Sequence, residues 1–289
     1  MPALLFTATE VQDVTPHMRR ITFTGEPVAQ YIATGQFPNI KILLPKADGS
    51  FDVPELDDPA CGADTLVRTR PDLHERVRTY TVRRYDAQQQ TLDIDFVLHG
   101  DEGIAGRWAA AAVAGSTLGA VGGGGRPIGT GERYLIAGDE TGLPGVGNIL
   151  ENLPADAVGT AYIEVDGPAE QQDLQAPAGV EIVWLSRDGA AGGTTTLLAD
   201  AVAAHPLAPG TFAWVSAEGS QVITIRKDLR ARGVDRKAML AIGYWRRGLT
   251  ENGYAKKANH DRDLKEFDDH DHDHDHGVRG LAARLRRRG

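Results

Sequence analysis

Up to about residue 125, apolar and polar positions alternate in short runs, which is the period of a half-buried strand. Residues 7–14 and 17–23 read as a β-pair around Thr15-Pro16. Residues 39–44 form a short apolar strand that contains Lys41 and stops at Pro45. Residues 76–85 and 91–98 alternate well and are joined by Asp86-Ala-Gln-Gln-Gln, which predicts a hairpin. Residues 103–114, from Gly103 through Trp108 to Ala114, read as one short helix. A last strand at 117–121 precedes four glycines, Gly122 to Gly125. Closely spaced strands with polar turns predict an antiparallel barrel.

Past residue 130 the pattern changes to strand alternating with helix. Apolar strands are expected at 133–137, 160–165, 181–185, 211–215 and 237–242, with helices at 146–152, 195–204 and 221–232. That alternation predicts a parallel, doubly wound sheet. The fold class is therefore mixed β and α/β. A β-barrel domain is expected over 1–127 and an α/β domain over 128–255, with a cleft between them and a tail over 256–289. The tail holds Asp268-Asp-His-Asp-His-Asp-His-Asp-His276 and four arginines within 284–288. Such a segment buries too little apolar area to offset its ordering entropy, so a mostly disordered tail with a short helix at 278–288 is expected.

At 289 residues the chain has room for two domains. No apolar run approaches the ~20 residues that span a bilayer, and the start carries no cationic leader pattern. The single cysteine, Cys61, excludes an internal disulfide or an all-cysteine iron–sulfur cluster within one chain, and a formal net charge of −9 disfavours general nucleic-acid binding. The expectation is a soluble, cytoplasmic monomer with no nucleic-acid or membrane partner and no resident metal site.

Arg78-Thr-Tyr80-Thr81-Val82 is the most informative stretch. On a strand, Arg78, Tyr80 and Val82 share one face, and Thr79 and Thr81 the other. A cation for phosphate, a flat ring for stacking and a hydroxyl nearby suit a flavin nucleotide, although Tyr and Thr are also ordinary strand formers. Gly103-Ile-Ala-Gly-Arg107 opens a helix and offers backbone N–H groups at a positive dipole end, or is plain helix entry. His99 is a candidate base or a structural hydrogen-bonding histidine. In the second domain no G-x-G-x-x-G follows the first strand, so the usual Rossmann grip on a dinucleotide is not supported. Gly138-Asp139-Glu-Thr141 lies instead at a strand's carboxyl end. Thr141 suits a nicotinamide or flavin edge, or a helix N-cap. Arg187, after Ser186, suits an adenosine 2′-phosphate or a solvated loop.

Taken in order, these stretches resemble the siderophore-interacting protein family of flavin-dependent ferric-siderophore reductases, within the ferredoxin–NADP reductase superfamily. The likeness rests on Arg78-Thr-Tyr-Thr81 with Arg83-Arg-Tyr85 and on Asp95-Phe-Val-Leu-His-Gly100 followed by Gly103 to Trp108. In the second half it rests on Ala137-Gly-Asp-Glu-Thr141 with Leu143-Pro144, on Trp214-Val-Ser-Ala-Glu218 and on Gly243-Tyr-Trp-Arg-Arg-Gly248. It spans roughly residues 5–250.

The resemblance implies an NAD(P)H-dependent enzyme that passes electrons through FAD to siderophore-bound Fe(III). It implies that Arg78 contacts the FAD phosphate, and that Tyr80 and Thr81, the catalytic pair, meet the ring face and its N5 region. Val97, Leu98 and His99 would line the flavin, and Ile104, Ala105, Gly106 and Arg107 would cover its pyrophosphate. Asp139, Thr141, Ala217, Glu218 and Trp245 would serve the nicotinamide nucleotide, which is NADPH with Arg187 as the phosphate ligand, or else NADH. Lys41, Arg126 and Arg246 would surround the anionic ferric siderophore. One departure is Thr141-Gly-Leu-Pro-Gly145, where the family usually carries alanines. Two alternatives stay open: a flavin reductase with another acceptor, and a non-enzymatic siderophore or iron carrier using His270, His272, His274 and His276.

Overall fold

A computed structural model describes residues 3–35, 37–53, 56, 62–98 and 103–258. His99, Cys61 and the His/Asp-rich tail lie outside these residues. The expected strands form in the expected order: β1 (Leu4–Thr15), β2 (Met18–Thr24), β3 (Asn39–Leu43), β4 (Val77–Asp86), β5 (Thr91–Val97) and β6 (Thr117–Gly124). They close into an antiparallel barrel in the order β1-β2-β5-β4-β3-β6. Alternate residues point inward, so Phe6, Ile21, Phe23, Ile40, Ile42, Leu92, Ile94 and Phe96 fill the interior without exposure.

Two helices were missed in this half. α1 (Glu26–Ala33) has Pro27 and Glu26 in its first turn and buries Val28 and Tyr31 in the barrel core. α2 (Ala63–Thr69) packs Leu66 into a small apolar cluster with Leu43, Leu73 and Val121. Both are about two turns long, too short for a 3.6-residue period to stand out. α3 (Ile104–Ala111) appears where a helix was expected. β6 continues three residues past the expected end, through glycine. A Cβ on Gly122, whose φ is 146°, would lie 3.3 Å from the Lys41 side chain, so a glycine lets the strand pass.

The second half is a parallel sheet in the order β11-β10-β7-β8-β9, built from β7 (Arg133–Gly138), β8 (Val158–Val165), β9 (Gly179–Ser186), β10 (Thr211–Glu218) and β11 (Met239–Trp245). α4 (Leu143–Asn152) covers one face through Val146, Ile149 and Leu150, against Ile136, Ile163 and Trp214. α5 (Leu197–Ala204) and α6 (Gly219–Ala231) cover the other through Leu198, Val222 and Ile225, against Leu135, Ala137 and Val215. Every residue of β10 is buried, as a strand covered on both faces requires. The winding reverses between β7 and β10, the place where open α/β sheets bind ligands. A further helix, α7 (Glu251–Ala258), crosses the expected start of the tail.

The two halves are bolted together at β4. Arg83, 4% exposed, donates from Nη1 and Nη2 to both oxygens of Glu151 on α4 at 2.9 and 2.5 Å. On the same helix, Asn148 Nδ2 donates to the carbonyls of Val82 and Arg83, each at 3.2 Å. A second tie joins the β1–β2 turn to the segment after β8. There Thr15 Oγ1 donates to Glu170 at 2.5 Å, and His17 Nδ1 lies 3.0 Å from the same carboxylate. Removing one partner of a buried ion pair strands the other charge, so Arg83→Ala is expected to cost about 3 kcal/mol in urea denaturation. Arg84→Ala should cost less, because Arg84 is 60% exposed and Asp93 keeps the Thr22 hydroxyl at 2.6 Å.

Candidate functional site

β4 pairs with β3 along Val77–Thr81, but with β5 only from Val82 onward. The first half of β4 therefore presents one edge free of strand neighbours. Thr79 N–H donates there to both oxygens of Glu251, at 3.1 and 3.3 Å. Arg78 Nε lies 4.0 Å from the same carboxylate, and Arg78 Nη1 donates to the carbonyls of Glu75 and Val77. Burial pushes the Glu251 carboxyl up, against Thr79 and Arg78, which favour its charge. Tyr80 sits half-buried on the core side, its ring centroid 4.5 Å from Phe96, and Leu98, Ile104 and Trp108 extend this apolar floor. The first turn of α3 abuts the end of β5, where a Cβ on Gly106 would lie 3.7 Å from the Val97 carbonyl. A cation beside an apolar, aromatic floor fits the phosphate and ring of a flavin.

Thr81 faces the opposite way, as alternation predicted, and is 6% exposed beneath the α/β half. Burial pushes the Tyr244 phenol up, and the nearby hydroxyls of Thr81 on β4 and Ser216 on β10 oppose that shift. Beside it, Asp139 is buried at the end of β7 and accepts five hydrogen bonds. Oδ1 takes Thr141 N–H at 2.9 Å, Thr141 Oγ1 at 2.6 Å and Gly142 N–H at 3.2 Å. Oδ2 takes Glu218 N–H at 3.0 Å and Trp245 Nε1 at 2.7 Å. Burial pushes this carboxyl up to about 6, opposed by Thr141 and Trp245, which favour the ionised form. Glu218 caps α6 by accepting from Ser220 N–H at 2.6 Å. Ala217 is wholly buried in β10, so only its backbone can address a nucleotide.

Thr141 does not cap α4; Gly142 occupies that position, and the Thr141 hydroxyl is spent on Asp139. The two glycines of this turn have a steric cause. A Cβ on Gly142 would collide with the Ser216 carbonyl, and one on Gly145 would lie 3.0 Å from the Trp214 ring. Arg187 is buried in a bidentate pair with Glu140 rather than solvated. Among the three expected substrate cations, Lys41 is exposed on β3 opposite Thr79, and its charge acts on Glu251. Arg246 follows β11, with Nε 3.7 Å from Glu218. Arg126 lines a cavity of about 260 Å³ with Phe212, Lys237 and Met239 near the starts of β10 and β11, the end of β11 away from Arg246. Glu140, Tyr244 and Glu251 were not singled out as site residues from sequence. Their partners are 47, 163 and 172 positions away, and no local pattern encodes such contacts.

The fold and site define a two-half protein whose barrel presents a flavin-type edge to an α/β sheet. The siderophore-interacting FAD-binding domain matches residues 7–127, and the siderophore-interacting protein domain matches residues 131–248. The chain belongs to the siderophore-interacting protein family. It is 34% identical over 248 residues to the ferric vibriobactin reductase ViuB of Vibrio cholerae, covering 83% of this chain and 88% of ViuB. The siderophore-interacting protein SipS of Aeromonas hydrophila superposes with a TM-score of 0.74 at 32% identity, over 90% of this chain and 97% of SipS. A ferredoxin reductase of carbazole 1,9a-dioxygenase shares the fold alone, with a TM-score of 0.58 at 15% identity over 84% of this chain and 69% of that one. Among the described residues, no helix is long and apolar enough to cross a membrane.

The Asp139 carboxyl is held near 6 when folded, against an ordinary 3.8 when unfolded. Between those values the native state binds the extra proton, so Asp139 makes the protein less stable as pH rises through that window, and pH-neutral above it. Protonation also weakens the acceptor for Trp245. Tryptophan emission should therefore titrate with a midpoint near 6, and Asp139→Asn should abolish that transition and flatten stability across the same window.

Proposed function

We propose that the protein is an FAD-containing, NAD(P)H-dependent ferric-siderophore reductase that releases Fe(II) in the cytoplasm. The observation that supports this most directly is the open edge of β4. Arg78, Tyr80 and Thr81 stand there in order, and the Thr81 hydroxyl acts on the Tyr244 phenol of β11. FAD, when bound, supplies the conversion between a hydride pair from the reduced nicotinamide and single electrons for Fe(III). The chain contributes position, charge and exclusion of water.

Arg78 offsets phosphate charge on the barrel side. Tyr80, fixed against Phe96, sets the plane of the ring. Thr81 is buried, so packing sets its position before any ligand arrives. Asp139 fixes the indole of Trp245 at the carboxyl ends of the sheet. Lys41 and Arg246 stand near this crevice as local cations on a chain of net charge −9, and would draw an anionic ferric complex toward it. Hard anionic oxygen ligands prefer Fe(III) to Fe(II), so reduction loosens the iron from its carrier.

The purified protein should bind FAD, be bleached anaerobically by a reduced nicotinamide, and regain its flavin spectrum when a ferric siderophore is added. A flavin that stays oxidised with either coenzyme would sink the reading. Losing one charge-assisted contact, Arg78→Ala should weaken FAD binding about 10- to 100-fold by fluorescence titration. Lys41→Ala should raise KM for anionic ferric complexes several-fold and leave neutral ones unchanged. Equal loss on both classes would remove Lys41 from the substrate field.

A further inference from the structure

The strand order runs from the switch point through β7 to β8 and the edge strand β9, the side on which the adenosine end of a dinucleotide would lie. Arg187 stands there, directly after β9, but all three of its nitrogens are engaged. Nε donates to the Ala190 carbonyl at 3.0 Å, and Nη1 and Nη2 donate to the two oxygens of Glu140 at 2.8 and 2.5 Å. Nη1 also lies 3.6 Å from Glu164, and Nη2 lies 4.0 Å from Asp166. A guanidinium carries five N–H donors in a rigid fork, and the two left over on Nη1 and Nη2 have Glu164 and Asp166 as carboxylate neighbours. The Arg187 side chain is 6% exposed, which makes breaking the pair with Glu140 costly. Ser186, the other natural phosphate ligand, donates its hydroxyl to Asp188 at 2.7 Å. Both groups that would greet a 2′-phosphate are thus occupied by carboxylates.

What remains accessible is acidic. Asp166, just past β8, is 38% exposed, and Asp188 is exposed beside it. Around Arg187, one cation is balanced against Glu140, Glu164 and Asp166, so the surroundings carry an excess of negative charge. A phosphate monoester with nearly two negative charges is repelled there. A ribose diol offers two hydroxyl donors, and a carboxylate past the second strand is the acceptor that suits them.

We infer that the α/β half takes NADH in preference to NADPH: Glu140 locks Arg187 away from a 2′-phosphate, and Asp166 accepts from the ribose hydroxyls. The inference rests on the reductase reading and names the coenzyme of that same site.

FAD-loaded protein titrated calorimetrically with ADP-ribose and with its 2′-phosphate should bind the unphosphorylated compound at least about tenfold more tightly. NADH should bleach the flavin faster than NADPH in the same sense. Glu140→Gln frees the guanidinium and should tighten 2′-phospho-ADP-ribose about tenfold. Should that variant fail to fold, Asp166→Ser, at a partly exposed position, should weaken ADP-ribose and favour the 2′-phosphate compound. Equal or tighter binding of the 2′-phosphate by the unaltered protein overturns the inference, as does an unchanged preference in the folded variants. Equal bleaching by both coenzymes overturns the inference alone, whereas bleaching by neither takes the reductase reading down with it.

Discussion

The buried guanidinium of Arg83 decides how the two halves meet. It leaves β4 on the same face as Thr81 and grips Glu151 on the helix that begins just after the Asp139 loop. Gly147 leaves room for it, since a Cβ there would come 2.8 Å from the guanidinium carbon. Asp95, 3.9 Å away and already held by Arg20, adds further negative charge around it. A pair so enclosed contributes little net stability once desolvation is counted, but a misaligned partner would leave a buried charge exposed to apolar surroundings. Its consequence is geometric. The strand that carries Arg78, Tyr80 and Thr81 cannot shift relative to α4, and α4 cannot shift relative to the switch point.

Carboxylates, rather than phosphate loops, occupy the strand ends of the α/β half. Glu164 is fully buried and accepts from Leu198 N–H at the start of α5 and from Thr195 Oγ1. Glu218 does the same for α6, and Asp139 gathers the N–H groups of its own turn and of Glu218. Each takes the positive end that a helix or turn would otherwise offer to a nucleotide phosphate. The missing G-x-G-x-x-G is thereby explained: the backbone donors that motif would supply are already satisfied by side chains of this chain. A nucleotide bound here has to be recognised by the edges of the crevice, where Trp245, Glu140 and Asp166 stand.

Among the described residues, periodicity disclosed all eleven strands and four of the seven α-helices, because each buries one face along enough residues for the alternation to register. The helices it missed fail for stated reasons: α1 and α2 are two turns long, and α7 mixes Tyr254, wholly buried, with polar residues that face the barrel. In the site, Thr81 and Asp139 were legible because strand ends and turn chemistry are local. Tyr244 was quoted only as part of a motif; its role as a bridge between two halves is a property of the closed fold. Arg187 was legible as a cation after a strand, yet its meaning turned on Glu140, 47 residues earlier, which the sequence alone does not bring beside it.

A second fastening lies across the crevice from Arg83. Tyr254 on α7 packs so closely over Gly243 of β11 that no Cβ fits there, while Glu251 and Asn252, one helical turn earlier, hold Thr79 and the His74 carbonyl on the barrel side. Thr81, Tyr244 and Ser216 therefore lie between two fastenings, one through α4 and one through α7. Electron and hydride transfers depend steeply on separation, since reacting atoms need to approach within roughly 3–3.5 Å for hydride, and a displacement of ~1 Å is costly. A site assembled from two domains would ordinarily inherit the relative motion of those domains. Here the motion is removed by two polar clasps of opposite location, so the spacing between the flavin edge and the sheet is a property of the fold before any ligand binds.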